Sequence, residues 1–200
     1  MRRAVSHLKR VDPVLGEIIQ RVGPCRIQYA EPDFETLARS IVFQQLNGKA
    51  ARAIFARLKG ALGNGSRMTP RETLSLSPEQ MLALGLSRRK AEYLRGLAEK
   101  TEAGLIEFSR LAALSDRDVI EHLTTVKGVG VWTAQMFLLF ALRRPDILAT
   151  GDFGIRSAIR KAYRLRKLPT PARVEKLGAA WHPHSSVACW YLWRSVETVI

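Results

Sequence analysis

Apolar positions recur along this chain at helical spacing. After Asp12-Pro13 come Val14, Leu15, Ile18, Ile19 and Val22, a rhythm that stops at Gly23-Pro24. The same period predicts helices from Asp33 to about Leu46 and from Asn47 to about Leu58. It returns after Ser87 with Ala91, Leu94, Leu97 and Ala98, and after Ser115 with Val119, Ile120 and Leu123. Further helices are expected over 131–142, 152–163, 171–180 and 185–198. Asp12, Thr69, Ser77 and Thr170 each stand directly before a proline. That pairing suits a helix start: the side-chain oxygen accepts an orphan N–H, and proline lacks a donor where none is needed. Gly60–Gly65 reads as a flexible loop, and no segment alternates long enough to make a strand. The prediction is an all-α fold of about ten helices joined by short turns.

Composition adds a partner. The chain has 200 residues, room for one domain or two small lobes, and 46% hydrophobic against 25% charged residues argues against disorder. Lys and Arg number 32 against 18 Asp and Glu, a net charge of +14. Such a surplus on a folded domain points to a polyanion, nucleic acid ahead of an anionic membrane surface. Two cysteines, Cys25 and Cys189, exclude a multi-disulfide framework and any four-cysteine metal or iron–sulfur site. They read as reduced core residues of an intracellular protein, and no metal site is expected. The basic N-terminus has no apolar stretch behind it, which argues against a secretory signal. The longest apolar run, Met136–Leu142, falls far short of the ~20 residues of a membrane span.

The most informative stretch is Leu123-Thr124-Thr125-Val126-Lys127-Gly128-Val129-Gly130-Val131-Trp132-Thr133-Ala134. One helix is expected to end near Thr124 and another to start near Val131. Gly128 and Gly130 are both expected to tolerate positive φ and close backbone approach. Outward N–H groups and the positive end of the next helix then form a phosphate-sized anion site. An isolated Gly-x-Gly would be read first as a tight turn between antiparallel helices. The flanks alter that balance. Leu-x-x-Val-x-Gly-Val-Gly-x-x-Thr-Ala resembles the helix-hairpin-helix motif of DNA repair proteins. Asp146-Ile147-Leu148-Ala149-Thr150-Gly151-Asp152-Phe153-Gly154-Ile155-Arg156 resembles the loop and aspartate that complete the helix-hairpin-helix DNA glycosylase signature. Ile41-Val42-Phe43-Gln44-Gln45-Leu46-Asn47-Gly48-Lys49-Ala50-Ala51 and Leu84-Gly85-Leu86-Ser87-x-x-Lys90-Ala91 are similar to further segments of that superfamily. The blocks keep the family's order across about residues 33–165.

Within the superfamily, strand-cleaving members carry a nucleophilic lysine where this chain has Trp132, and the iron–sulfur branch needs four cysteines that this chain lacks. The tail Trp181-His182-Pro183-His184-Ser185-Ser186-Val187-Ala188-Cys189-Trp190-Tyr191-Leu192-Trp193 resembles that of the alkylbase branch, the 3-methyladenine DNA glycosylase II family, with Ser185 in place of its usual arginine. The resemblance is to the compact form without an N-terminal β domain. It implies two helical lobes with an active-site cleft between them, one lobe of about 34–150 and another of about 1–33 plus 151–200, with Asp152 at the junction.

The resemblance implies a monofunctional enzyme that flips an alkylated purine, 3-methyladenine or 7-methylguanine, out of duplex DNA and leaves an abasic site. Asp152 is then the catalytic carboxylate, stabilising a cationic sugar and guiding water; a helix cap is its structural alternative. Trp132, Met136 and Trp193 would line the base pocket, with core packing the alternative for each tryptophan. Leu46 would wedge into the opened stack or belong to the core. Gln44 and Gln45 would contact bases or face water. Lys127, Gly128, Gly130, Thr133, Arg88 and Lys90 are assigned to phosphate, as is the basic run Arg156, Arg160, Lys161, Arg164, Arg166 and Lys167. Asp146 reads as a turn residue. A monovalent ion at the hairpin is the one cofactor the resemblance raises. The expected protein is a monomer working in a bacterial nucleoid or a eukaryotic nucleus. Two other readings stay open: a glycosylase for hypoxanthine or a mismatch, and a non-catalytic DNA-binding module.

Overall fold

The computed structural model describes residues 1–62 and 67–197. Among them the chain forms thirteen α-helices and no strand. In chain order these are α1 (Arg2–Val11), α2 (Pro13–Val22), α3 (Phe34–Phe43), α4 (Gly48–Ala61), α5 (Pro70–Ser75), α6 (Pro78–Ala83) and α7 (Arg88–Glu102). There follow α8 (Phe108–Leu111), α9 (Asp116–Thr124), α10 (Val131–Phe140), α11 (Phe153–Ala162), α12 (Pro171–Gly178) and α13 (Ser185–Glu197), with a 3-10 turn at Ala179–Trp181. No helix of the described residues is long and apolar enough to cross a membrane.

The chain divides into two compact units, Met1–Tyr29 with Leu138–Ile200, and Ala30–Phe137. The boundary falls inside α10, so residues 138–150, counted with the hairpin in the sequence, cluster with the terminal segments.

In the terminal unit α11, α2 and α1 pack on α13 around Leu8, Leu15, Ile18, Ile155, Ile159, Ala188 and Leu192, all buried. Helix α1 has no capping side chain to announce it, and only Ala4 and Leu8 of its residues are buried. Cys189 lies wholly inside, where burial pushes its thiol up to about 12, and Cys25 is half-buried. One carboxylate ties this unit together. Asp12 caps α2 by accepting from the Leu15 N–H at 3.0 Å, and its other oxygen accepts from Trp181 Nε1 at 2.8 Å and from the Tyr163 hydroxyl. Burial, followed by the adjacent Asp12 carboxylate, pushes the Tyr163 phenol upward, which keeps it a donor. Asp12→Ala removes a cap and leaves two partly or fully buried donors without their acceptor. It should lower stability in urea unfolding by at least about 3 kcal/mol, and a loss under about 1 kcal/mol would refute this reading of the network.

In the other unit α3 packs on α4 and α7, and α5 and α6 lie against α7. Phe34, Leu37, Ile41, Ala51, Leu58, Leu94 and Leu97 form its core. Thr69 and Ser77 each close a capping box, with Glu72 and Gln80, on helices of six residues, too short to show a period. Helix α3 stops at Phe43, short of the expected Leu46, because Gln45 takes φ of 53° and turns the chain out of the helix. Gly60 and Ala61 belong to α4 rather than to the expected loop, and 63–65 lie outside the described residues, as does 198 at the end of the last expected helix.

Candidate active site and nucleic-acid interface

Within the unit of residues 30–137, the turn between α9 and α10 is anchored by buried Val126 and Val129, the Val129 N–H donating to the Val126 carbonyl at 2.9 Å. Gly128 has φ of 92°, and a Cβ there would lie 2.1 Å from Cδ2 of Tyr93 on α7. Two requirements therefore coincide at Gly128: a left-handed backbone and an aromatic ring against the α-carbon. Of the two glycines able to take positive φ, Gly128 does so and Gly130 does not. One left-handed residue suffices to reverse the chain, and a Cβ at Gly130 would meet nothing within 4 Å. Lys127 and Gly130 are exposed, while Thr133 is 4% exposed, which takes its side chain out of the expected phosphate set.

The turn between α3 and α4 lies against this hairpin. Gln44 Nε2 donates to the Gly128 carbonyl at 2.9 Å, so that amide group serves the protein rather than facing water. Asn47 caps α4 through the Ala50 N–H, and Leu46, 39% exposed, stands at the tip rather than in the core. Gln45 is exposed beside it. Lys90 departs from its phosphate assignment: its ammonium donates to the carbonyls of Val42 and Gln44, at 2.7 and 2.6 Å, and burial lowers its pKa. Arg88 is exposed at the first position of α7. Trp132, 48% exposed, and half-buried Met136 are four residues apart on α10 and share one face.

Within the terminal unit, Asp152 is 8% exposed at the N-terminus of α11. Its Oδ1 accepts from the Ile155 N–H at 2.7 Å and from Trp193 Nε1 at 2.8 Å. The capping role is therefore real, and Trp193, expected to line a base pocket, directly orients the carboxylate. Trp193 also stacks on Phe140, ring centroids 5.8 Å apart at 27°. Phe140 escapes sequence reading because it sits inside a continuous apolar run. Gly154 escapes it too: a Cβ there would lie 3.1 Å from both Asp152 Oδ1 and Trp193 Cδ1, crowding the pair.

The loop before Asp152 is laced to the start of α13. Ser185, wholly buried, donates its hydroxyl to Asp146 Oδ1 at 2.6 Å, and His182 Nδ1 lies 2.7 Å from Oδ2. Ser186 Oγ accepts from the Ile147 N–H and donates to the Arg144 carbonyl. Burial works to raise the Asp146 carboxyl, but the bonds from Ser185 and His182 outweigh it and hold it below its ordinary value. Ser185 thus serves the scaffold. Arg156 also serves it in part, its Nε donating to the Pro169 carbonyl at 2.7 Å. Arg160, Lys161, Arg164, Arg166 and Lys167 are exposed.

Comparison with known proteins bears on the family and the fold. DNA-3-methyladenine glycosylase 1 of Schizosaccharomyces pombe is 38% identical over 199 residues, 98% of this chain and 87% of that protein. The structure of a S. pombe 3-methyladenine DNA glycosylase in complex with abasic DNA superposes with a TM-score of 0.89, covering 98% of this chain and 97% of that one. A DNA-3-methyladenine glycosidase from Bacillus halodurans superposes with a TM-score of 0.86 at 35% identity, over 98% of this chain and 89% of that one. The profile of the HhH-GPD superfamily base excision DNA repair proteins matches residues 38–184. This chain belongs to the HhH-GPD superfamily of base excision DNA repair proteins.

Proposed function

We propose that this protein is a monofunctional DNA glycosylase that releases alkylated purines, 3-methyladenine and 7-methylguanine, from duplex DNA and leaves an abasic site. The observation that carries the reading is the Asp152 carboxylate, nearly buried and held by a backbone N–H and an indole N–H. In this reading the C1′–N bond breaks with its electron pair going to the base. Asp152 stabilises the positive sugar and accepts a proton from the water that adds to C1′. An alkylated purine already carries positive charge and departs neutral, so no dedicated acid is needed. Trp132, on the same face of α10 as Met136, would attract such a cationic base, the ring contributing about 0.5–2 kcal/mol. Trp132 occupies the position of the lysine nucleophile of strand-cleaving relatives, so the product strand stays whole. Leu46 would hold the opened stack, and Gln45 would face the bases beside it.

Phosphate contact falls to Lys127, Arg88 and the N–H groups of the Gly128–Gly130 turn. For a monovalent cation at the hairpin, the Val126 and Gly128 carbonyls already accept from Val129 and Gln44, so each would offer a second lone pair. The protein would act as a monomer wherever genomic DNA lies, in a nucleoid or a nucleus.

A panel of duplexes carrying 3-methyladenine, 7-methylguanine, hypoxanthine or a mismatch tests the proposal by chromatography of released bases. Release of alkylated purine with strand breakage only after alkali is the expected result. Preferential release of hypoxanthine or a mismatched base would replace the assigned lesion, and no release from any duplex would leave a binding module.

A further inference from the structure

The strongest unassigned feature is the way a cation ends helix α3. Lys90 stands in the basic run Arg88-Arg89-Lys90, yet its ammonium reaches across to the Val42 and Gln44 carbonyls, where α3 terminates. We infer that Lys90 is a positioning residue for strand opening: it locks the Gln44–Asn47 turn so that Leu46 meets the base stack already in place. The inference rests on the glycosylase reading only for the use made of Leu46.

Four observations converge on it. The carbonyls at a helix C-terminus have no intrahelical donor, and a cation there satisfies both the orphan groups and the helix dipole. The next residue, Gln45, is held at φ of 53°, a conformation a non-glycine residue keeps only where its surroundings fix it. The Gln44 side chain is itself tied to Gly128 at 2.9 Å, joining this turn to the hairpin. Asn47 closes the far end by capping α4, so Leu46 is the exposed apolar residue between two fastened points.

The physical consequence is preorganisation. A side chain that fills a gap in the stack offsets unstacking only by the interaction left after its own ordering. A turn fixed before binding leaves little ordering to do; a loose one gives much of the gain back. Lys90 thus acts on DNA through Leu46, without touching a phosphate.

The test uses Lys90→Met, which keeps the stem and removes the charge and donors, on a duplex with an abasic analogue opposite 2-aminopurine. Each neutralised phosphate contributes about 0.9 to the slope of log affinity against log salt, so a slope unchanged within about 0.3 is expected. The 2-aminopurine fluorescence rise on binding should fall several-fold, and base release from a lesion duplex should slow about tenfold in kcat with KM little moved. In a Leu46→Ala background, Lys90→Met should add less than about twofold. Gln44→Leu, which cuts only the tie to Gly128, should depress the same fluorescence signal and serves if Lys90→Met does not fold. A slope reduced by about 0.9, or full effects of Lys90→Met without Leu46, would overturn the inference. The opening signal needs no catalysis. A wild-type chain that opens this duplex but releases no base refutes the glycosylase reading, while loss of opening in Lys90→Met still supports this one.

Discussion

Asp152→Asn should slow base release by ~10²–10³-fold while leaving the protein folded and DNA-binding. The substitution isolates charge from shape. Asparagine caps helices about as well as aspartate, and its amide oxygen can still accept from the Ile155 N–H and the Trp193 indole. What disappears is the negative charge that, in the proposed mechanism, faces a sugar becoming positive in the transition state. A loss of that size corresponds to about 3–4 kcal/mol of transition-state stabilisation, large because Asp152 is 8% exposed and poorly screened. Single-turnover excision at saturating enzyme separates chemistry from binding, and urea unfolding checks the fold. Retention of the full rate would leave Asp152 as a cap alone. Because Oδ1 accepts both hydrogen bonds, Trp193→Phe should also slow the chemical step, through orientation rather than charge and by less than Asp152→Asn.

The all-α architecture was legible in the sequence because capping residues and apolar spacing act locally and agree with each other. Asp12, Ser87, Ser115, Asp152 and Thr170 all cap the helices their position foretold. Helix α1 was less legible, since no side chain caps its start and its few apolar positions, Ala4, Val5, Leu8 and Val11, are spaced among basic ones. The carboxylate could be named from its motif. Its partners could not: Trp193 lies 41 residues away, and the space at Gly154 exists only once both side chains are in place. Lys90 shows the same limit from the other side. A basic run looks uniform along the chain, yet Arg88 is exposed while Lys90 lies against two carbonyls of a helix 46 residues upstream. Residue type announces a charge; only tertiary structure decides whether it meets solvent or backbone.

The two hairpin glycines should separate folding from DNA binding. At Gly128 a methyl group would lie 2.1 to 2.7 Å from three carbons of the Tyr93 ring, at a φ of 92° that alanine tolerates poorly. The ring is rigid, so the turn itself must move, and its carbonyl would leave Gln44 Nε2. Gly128→Ala should therefore lose about 2–4 kcal/mol of stability and bind duplex DNA at least about tenfold more weakly. Gly130→Ala is the contrast. Its Cβ would enter open space, so stability should change by less than about 1 kcal/mol. That open space is where a phosphate would approach the exposed turn, and binding to undamaged and lesion DNA alike should still fall several-fold. Unfolding and DNA titration of the two variants, side by side, give the answer. If Gly130→Ala bound DNA as tightly as the wild type, the hairpin backbone would not be the phosphate site, and the charge of Lys127 and Arg88 would have to account for the grip alone.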